Sequence, residues 1–105
     1  MSLPSRDRRA LRRIAHHLDP VVTVGDAGLS EGVLKETERA LADHELIKVR
    51  LPGAGREDRQ ALAEALCAAC KAELVQSIGR MVLLYRPAEQ PDPNKSNILR
   101  HQLAR

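Results

Sequence analysis

Apolar residues in this chain switch repeatedly between two spacings, one suited to helices and one to strands, and the order of the switches sets the fold class. Leu11, Ile14, Ala15 and Leu18 recur every three or four residues, so one side of a helix from Arg6 to Leu18 is apolar. Arg9, Arg12, Arg13 and His16 repeat that spacing on roughly the opposite side, which gives the helix a cationic outer surface. Asp19-Pro20 ends it, because a residue preceding proline avoids helical backbone. Val21 to Val24 then read as a short buried strand.

Gly25-Asp26-Ala27-Gly28 makes a tight loop, and Ser30 is placed to cap the next helix, with Leu29 and Leu34 as the apolar staple around that cap. This helix is expected to run to about Asp43 with Val33, Leu34, Thr37 and Leu41 facing inward. From Ile47 to Leu51 the period becomes two. Ile47, Val49 and Leu51 share one face and Lys48 and Arg50 the other, a half-buried strand with a basic outer face.

Pro52-Gly53-Ala54-Gly55 turns the chain into a third helix, Glu57 to Lys71, whose apolar stripe is Leu62, Ala65, Leu66 and Ala69. Leu74 to Ile78 and Met81 to Tyr85 flank Gly79-Arg80, a glycine-first turn that suits a hairpin. The predicted order is α-β-α-β-α-β-β. That defines an α/β single-domain sandwich with a small mixed four-stranded sheet, and 105 residues fit one such domain. Residues 1–87 form the expected domain. The polar tail, 88–105, has little means of packing and is expected to be flexible, with Ile98, Leu99 and Leu103 able to form a late helical turn or two.

Composition narrows the chemistry. The chain is 43% hydrophobic but has no Trp or Phe, and Tyr85 is its one aromatic, so the core must be aliphatic. Seventeen Lys and Arg against fourteen Asp and Glu leave a net charge of +3, a modest excess. Its placement is more informative: Arg6, Arg8, Arg9, Arg12 and Arg13 are opposed locally only by Asp7. No apolar run reaches the roughly 20 residues of a membrane-spanning helix, and the Arg-rich start lacks the apolar segment of a secretory signal. A transit peptide also starts this way, but here the basic helix runs straight into the first strand. Two cysteines without a secretory signal point to reduced thiols in a cytoplasmic protein.

The Gly25-x-x-Gly28 loop lies between a strand and a capped helix start, where glycines let a phosphate approach backbone amides and the helix N-terminus adds partial positive charge. The competing interpretation is a plain turn whose glycines only supply positive φ. Asp26 counts against anion binding. Arg9, Arg12 and Arg13, with Lys48, Arg50, Arg80 and Arg86, are the candidate phosphate contacts; alternatively they form a solvated surface. Without an aromatic platform, RNA would be read through backbone and shape and not through splayed bases.

Cys67-x-x-Cys70 lies near the end of its helix, where the dipole raises a thiol pKa, and no second Cys pair completes a zinc site. Small apolar residues near the core are the better interpretation. No catalytic set, cofactor loop or metal cage is evident, so an enzyme with a small-molecule substrate is not expected.

Several runs together resemble the CRM domain (chloroplast RNA splicing and ribosome maturation), closest to its free-standing bacterial YhbY-type members. They are Leu18-Asp19-Pro20-Val21-Val22, Val24 to Val33, His44 to Arg50, and Ile78-Gly79-Arg80 leading to Leu83-Leu84-Tyr85-Arg86-Pro87. The resemblance spans about Leu3 to Pro87. It implies a fold similar to the C-terminal domain of bacterial translation initiation factor three, with a KH-like GxxG loop. It also implies binding to ribosomal RNA in precursors of the large ribosomal subunit, with Gly25 and Gly28 in the RNA-contacting loop beside the basic first helix. Asp26 departs from the neutral or basic residues common in such loops. The expectation is therefore a monomeric RNA-binding ribosome-assembly factor without membrane contact. A protein-interaction adaptor and a small thiol or zinc protein are the rivals.

Overall fold

The computed structural model of the chain describes residues 5–53 and 55–102; Leu3, Ala54 and Leu103, which entered the sequence reading, lie outside them. The elements are α1 (Ser5–Ala15), β1 (Pro20–Thr23), α2 (Glu31–His44), β2 (Leu46–Arg50), α3 (Arg56–Cys70), β3 (Glu73–Ile78), β4 (Met81–Tyr85) and α4 (Asn97–Gln102). Up to β4 this is the predicted order. The sheet runs β1-β2-β4-β3, with β1 parallel to β2 and the other pairs antiparallel, so it is mixed and four-stranded as expected.

Local chemistry explains the boundaries. Helix α1 stops three residues short of Leu18 because its last turn tightens: the amides of His17 and Leu18 donate to the carbonyls of Ile14 and Ala15. Pro20 opens β1, an edge strand, where a missing N–H is tolerated. Gly79 has φ +56° and Arg80 has no positive φ, the pattern of a type II′ hairpin turn.

Each face of the sheet has its own core. Val22, Val24, Ile47, Val49, Leu51, Val82 and Leu84 pack against Leu41 of α2 and Ala63 and Leu66 of α3. On the opposite face Leu46, Val75 and Leu83 pack against Leu11 and Ala15 of α1, with Ile98 of α4 alongside. The basic face of β2 is therefore only half open: α1 and α4 cover its Leu46 end and leave Lys48 partly exposed and Arg50 exposed. Arg8 anchors α1 to β3. Its guanidinium donates to the Leu74 and Val75 carbonyls, at 2.9 and 3.4 Å, where β3 bulges against β4.

Three expectations differ from the structure. The first strand is not buried throughout: Val22 and Val24 are buried, but Val21 and Thr23 of this edge strand are exposed. The buried stripe of α3 is Ala63, Leu66, Cys67 and Cys70, whereas Ala65 and Ala69 are exposed. Residues 88–102 are also not a bare polar tail, because Ser96 and Asn97 are buried and anchor α4 to the domain. Ser96 donates to Glu45 Oε1 at 2.6 Å, Asn97 donates to the Leu46 carbonyl at 2.7 Å, and the Ala88 amide donates to Glu45 Oε2 at 2.8 Å.

Candidate nucleic-acid interface

Residues 25–28 form a β-turn closed by the Gly28 amide donating to the Gly25 carbonyl at 3.0 Å. Gly25, Asp26 and Ala27 are exposed. Among the described residues the Asp26 and Ala27 amides find no protein acceptor. Ser30 caps α2 as predicted, its hydroxyl accepting from the Val33 amide at 3.2 Å. Leu29 and Leu34, the expected staple, both pack on the core beneath.

The two glycines differ in what the fold asks of them. Gly28 has φ +78°, a conformation that side chains with a Cβ adopt at a cost, so turn geometry accounts for it. Gly25 has a φ outside the left-handed region, and a Cβ built there meets nothing within 4 Å. Neither backbone geometry nor packing requires glycine at 25. What its absence of a side chain leaves open is the approach from solvent.

Strand pairing brings further candidates to the same end of the sheet. The Val24 amide, just before the loop, donates to the Arg50 carbonyl at 2.8 Å, and the Leu51 amide donates to the Arg80 carbonyl at 2.7 Å. Arg80 is exposed, with Nε donating to the Leu51 carbonyl at 3.2 Å, which holds its stem at the hairpin tip. Arg12 and His16 of α1 line one groove with Lys48, Gln76, Ile78 and Met81. Arg9 and Arg13 are exposed on the same stripe of α1, and among the described residues Arg9, Arg12 and Arg13 have no carboxylate partner. Gln76, Ile78 and Met81, which line this groove, drew no notice in the sequence. The exposure of Ile78, at 60%, is the feature that marks them, and an apolar residue in a strand gives no sign of it.

Negative charge at the loop is limited. Asp26 and Glu31 are exposed beside it, and Glu31 is paired with Lys35 at 3.4 Å one helical turn on. The loop therefore offers free amides and the start of α2 to an anion, with the Asp26 carboxylate as the opposing charge.

Arg86 does not join this surface. It follows the Tyr85 end of β4, opposite the loop end, and its Nη1 donates to both Glu38 carboxylate oxygens and to the Cys70 carbonyl, all at 2.9 Å. Its role is to tie the middle of α2 to the C-terminus of α3. Cys67 and Cys70 are buried, free thiols; burial pushes Cys67 up to about 11 and raises Cys70 as well. Protonated thiols facing a core are poor nucleophiles, in line with the apolar interpretation of the pair.

A family model described as the CRS1 / YhbY (CRM) domain matches residues 3–86. The chain belongs to this family, as the resemblance of its motifs implied. A Pseudomonas aeruginosa relative named "Probable RNA-binding protein" is 53% identical over 95% of this chain and 96% of its own length. A Haemophilus influenzae relative named "RNA-binding protein" is 48% identical, covering 85% of this chain and 90% of its own. The solution structure of a hypothetical protein from Staphylococcus aureus is 37% identical and superposes with a TM-score of 0.75, over 85% of this chain and 93% of that one.

Proposed function

We propose that this protein binds RNA through the 25–28 loop and the cationic stripe of α1, and that it acts in assembly of the large ribosomal subunit. The observation that carries the RNA reading is the pairing of an unrequired glycine at 25 with free amides at 26 and 27, at the sheet end that also presents Arg50 and Arg80. Phosphate is the ligand that such a surface suits: backbone amides and a helix start hold the anion, and unpaired arginines hold its neighbours along the chain. The names of the relatives support the same partner. Arg9, Arg12, Arg13, Lys48, Arg50 and Arg80 form the proposed phosphate-contacting set with Gly25 to Gly28, and Arg86 is left out of it because Glu38 and Cys70 occupy its guanidinium.

The ribosomal target rests on the family resemblance. Crosslinking in cells, followed by sequencing of the attached RNA, tests it. Enrichment of large-subunit ribosomal RNA, lost when Arg9, Arg12 and Arg13 are replaced by Gln, is the expected result. Crosslinks spread over unrelated transcripts would reject the ribosomal assignment.

A further inference from the structure

Helix α1 covers only part of its face of the sheet. Where β3 and β4 turn at Gly79-Arg80, the face continues past Ala15 into a groove of about 150 Å³. The sheet contributes Ile78, Met81 and Leu83 to its lining together with Lys48 and Gln76, and α1 contributes Arg12, Ala15 and His16. Among the described residues no Asp or Glu lines it. Arg50 pairs with Met81 across the sheet, and the Arg50 carbonyl holds the Val24 amide at the mouth of the 25–28 loop, so groove and loop lie at the same end of the sheet.

Exposed Ile78 adjoins the partly buried Met81 in this groove, beside Arg12 and Lys48, which have no carboxylate partner among the described residues. A partner that is apolar and flat in one part and anionic in the next matches both halves, and a nucleotide is such a partner. We propose that this groove receives an unstacked base of the bound RNA, with Arg12 and Lys48 on the flanking phosphates and the Gln76 amide within reach of the base edge. The proposal rests on the RNA-binding reading and extends it. The sequence, lacking an aromatic platform, led to an expectation of backbone and shape recognition only. An aliphatic lining offers a base apolar contact without stacking on a ring, weaker than an aromatic platform but tolerant of sequence.

The test compares two probes of equal phosphate count, a short mixed-sequence single-stranded RNA and the same strand without its bases. The wild-type protein should bind the base-bearing strand about five- to tenfold tighter. Ile78→Ala with Met81→Ala should bring that ratio close to one while leaving affinity for the abasic strand and its salt dependence unchanged. Ile78→Ala alone, at an exposed position where folding is not at risk, should remove part of the preference. Equal wild-type affinity for both strands, with steep salt dependence, overturns the groove assignment and leaves the phosphate reading standing; the groove would then suit an apolar protein side chain. A base preference that survives both variants overturns it too. Absence of salt-dependent binding to either strand defeats the RNA-binding reading and the groove with it.

Discussion

Ser96 donates a 2.6 Å hydrogen bond to the Glu45 carboxylate across 51 residues of sequence, and both residues are buried. Glu45 has φ +63°, a rare conformation for a residue with a side chain, and ends α2 with its amide on the Leu41 carbonyl. Its carboxylate holds Ser96 and the Ala88 amide, and its carbonyl accepts from the Arg86 amide. Ser96 in turn accepts the Ile98 and Leu99 amides, which caps α4. One strained residue thus fastens the C-terminal segment to the start of β2.

Ser96→Ala should cost about 1–3 kcal/mol, since it strips a buried carboxylate oxygen of its donor and α4 of its cap. Urea unfolding checks this. Glu45→Ala should cost at least as much despite any relief of strain, and a midpoint unchanged in both variants would show that the clasp contributes nothing.

Gly25→Ala and Gly28→Ala should separate function from folding. Gly28→Ala forces a Cβ into the left-handed region and should lose about 1 kcal/mol of stability. Gly25→Ala should leave the unfolding midpoint unchanged and still weaken RNA binding several-fold, because its Cβ would stand where the sugar–phosphate chain is proposed to approach. Unfolding and binding are measured on the same preparations.

Arg86→Ala should behave in the opposite way. It releases Glu38 and the Cys70 carbonyl from a partly exposed pair, so a loss of about 1–2 kcal/mol in stability is expected with RNA affinity unchanged. A drop in affinity without a drop in stability would return Arg86 to the binding surface.

The raised thiols predict a pH dependence on the alkaline side. The folded state holds the proton on Cys67 up to about 11, above the ordinary value of 9.0, so the unfolded chain gives up its proton first. Stability from this burial is complete below pH 9 and falls as pH rises from there through 11. Replacement of both cysteines by Ala should flatten the decline in that window and leave RNA binding intact.

Much of this architecture was legible in the sequence because its strands and helices carry distinct apolar periods: Ile47, Val49 and Leu51 are buried as alternation required, and Ser30 caps α2 as its position suggested. The rotation of α3 was not legible. Ala63, Ala65, Cys67, Ala69 and Cys70 are all small, so Leu62 and Leu66 alone do not fix which neighbours turn inward. The packing of α4 escaped because Ser96 and Asn97 hold it through buried hydrogen bonds, which an apolar pattern cannot register. Arg86 looked like a free cation because its partner, Glu38, is 48 residues away.

Phosphate contact by the loop and the α1 arginines is the central claim, and a salt titration of RNA affinity tests it. On a log–log plot the wild-type protein should give a steep straight line, and the variant with Gln at positions 9, 12 and 13 a line shallower by roughly 2–3 units. Asp26→Lys should raise affinity by removing the one carboxylate within the loop. A flat wild-type line, or slopes that the arginine replacements leave unchanged, would contradict the claim that these side chains and the 25–28 loop meet the RNA backbone.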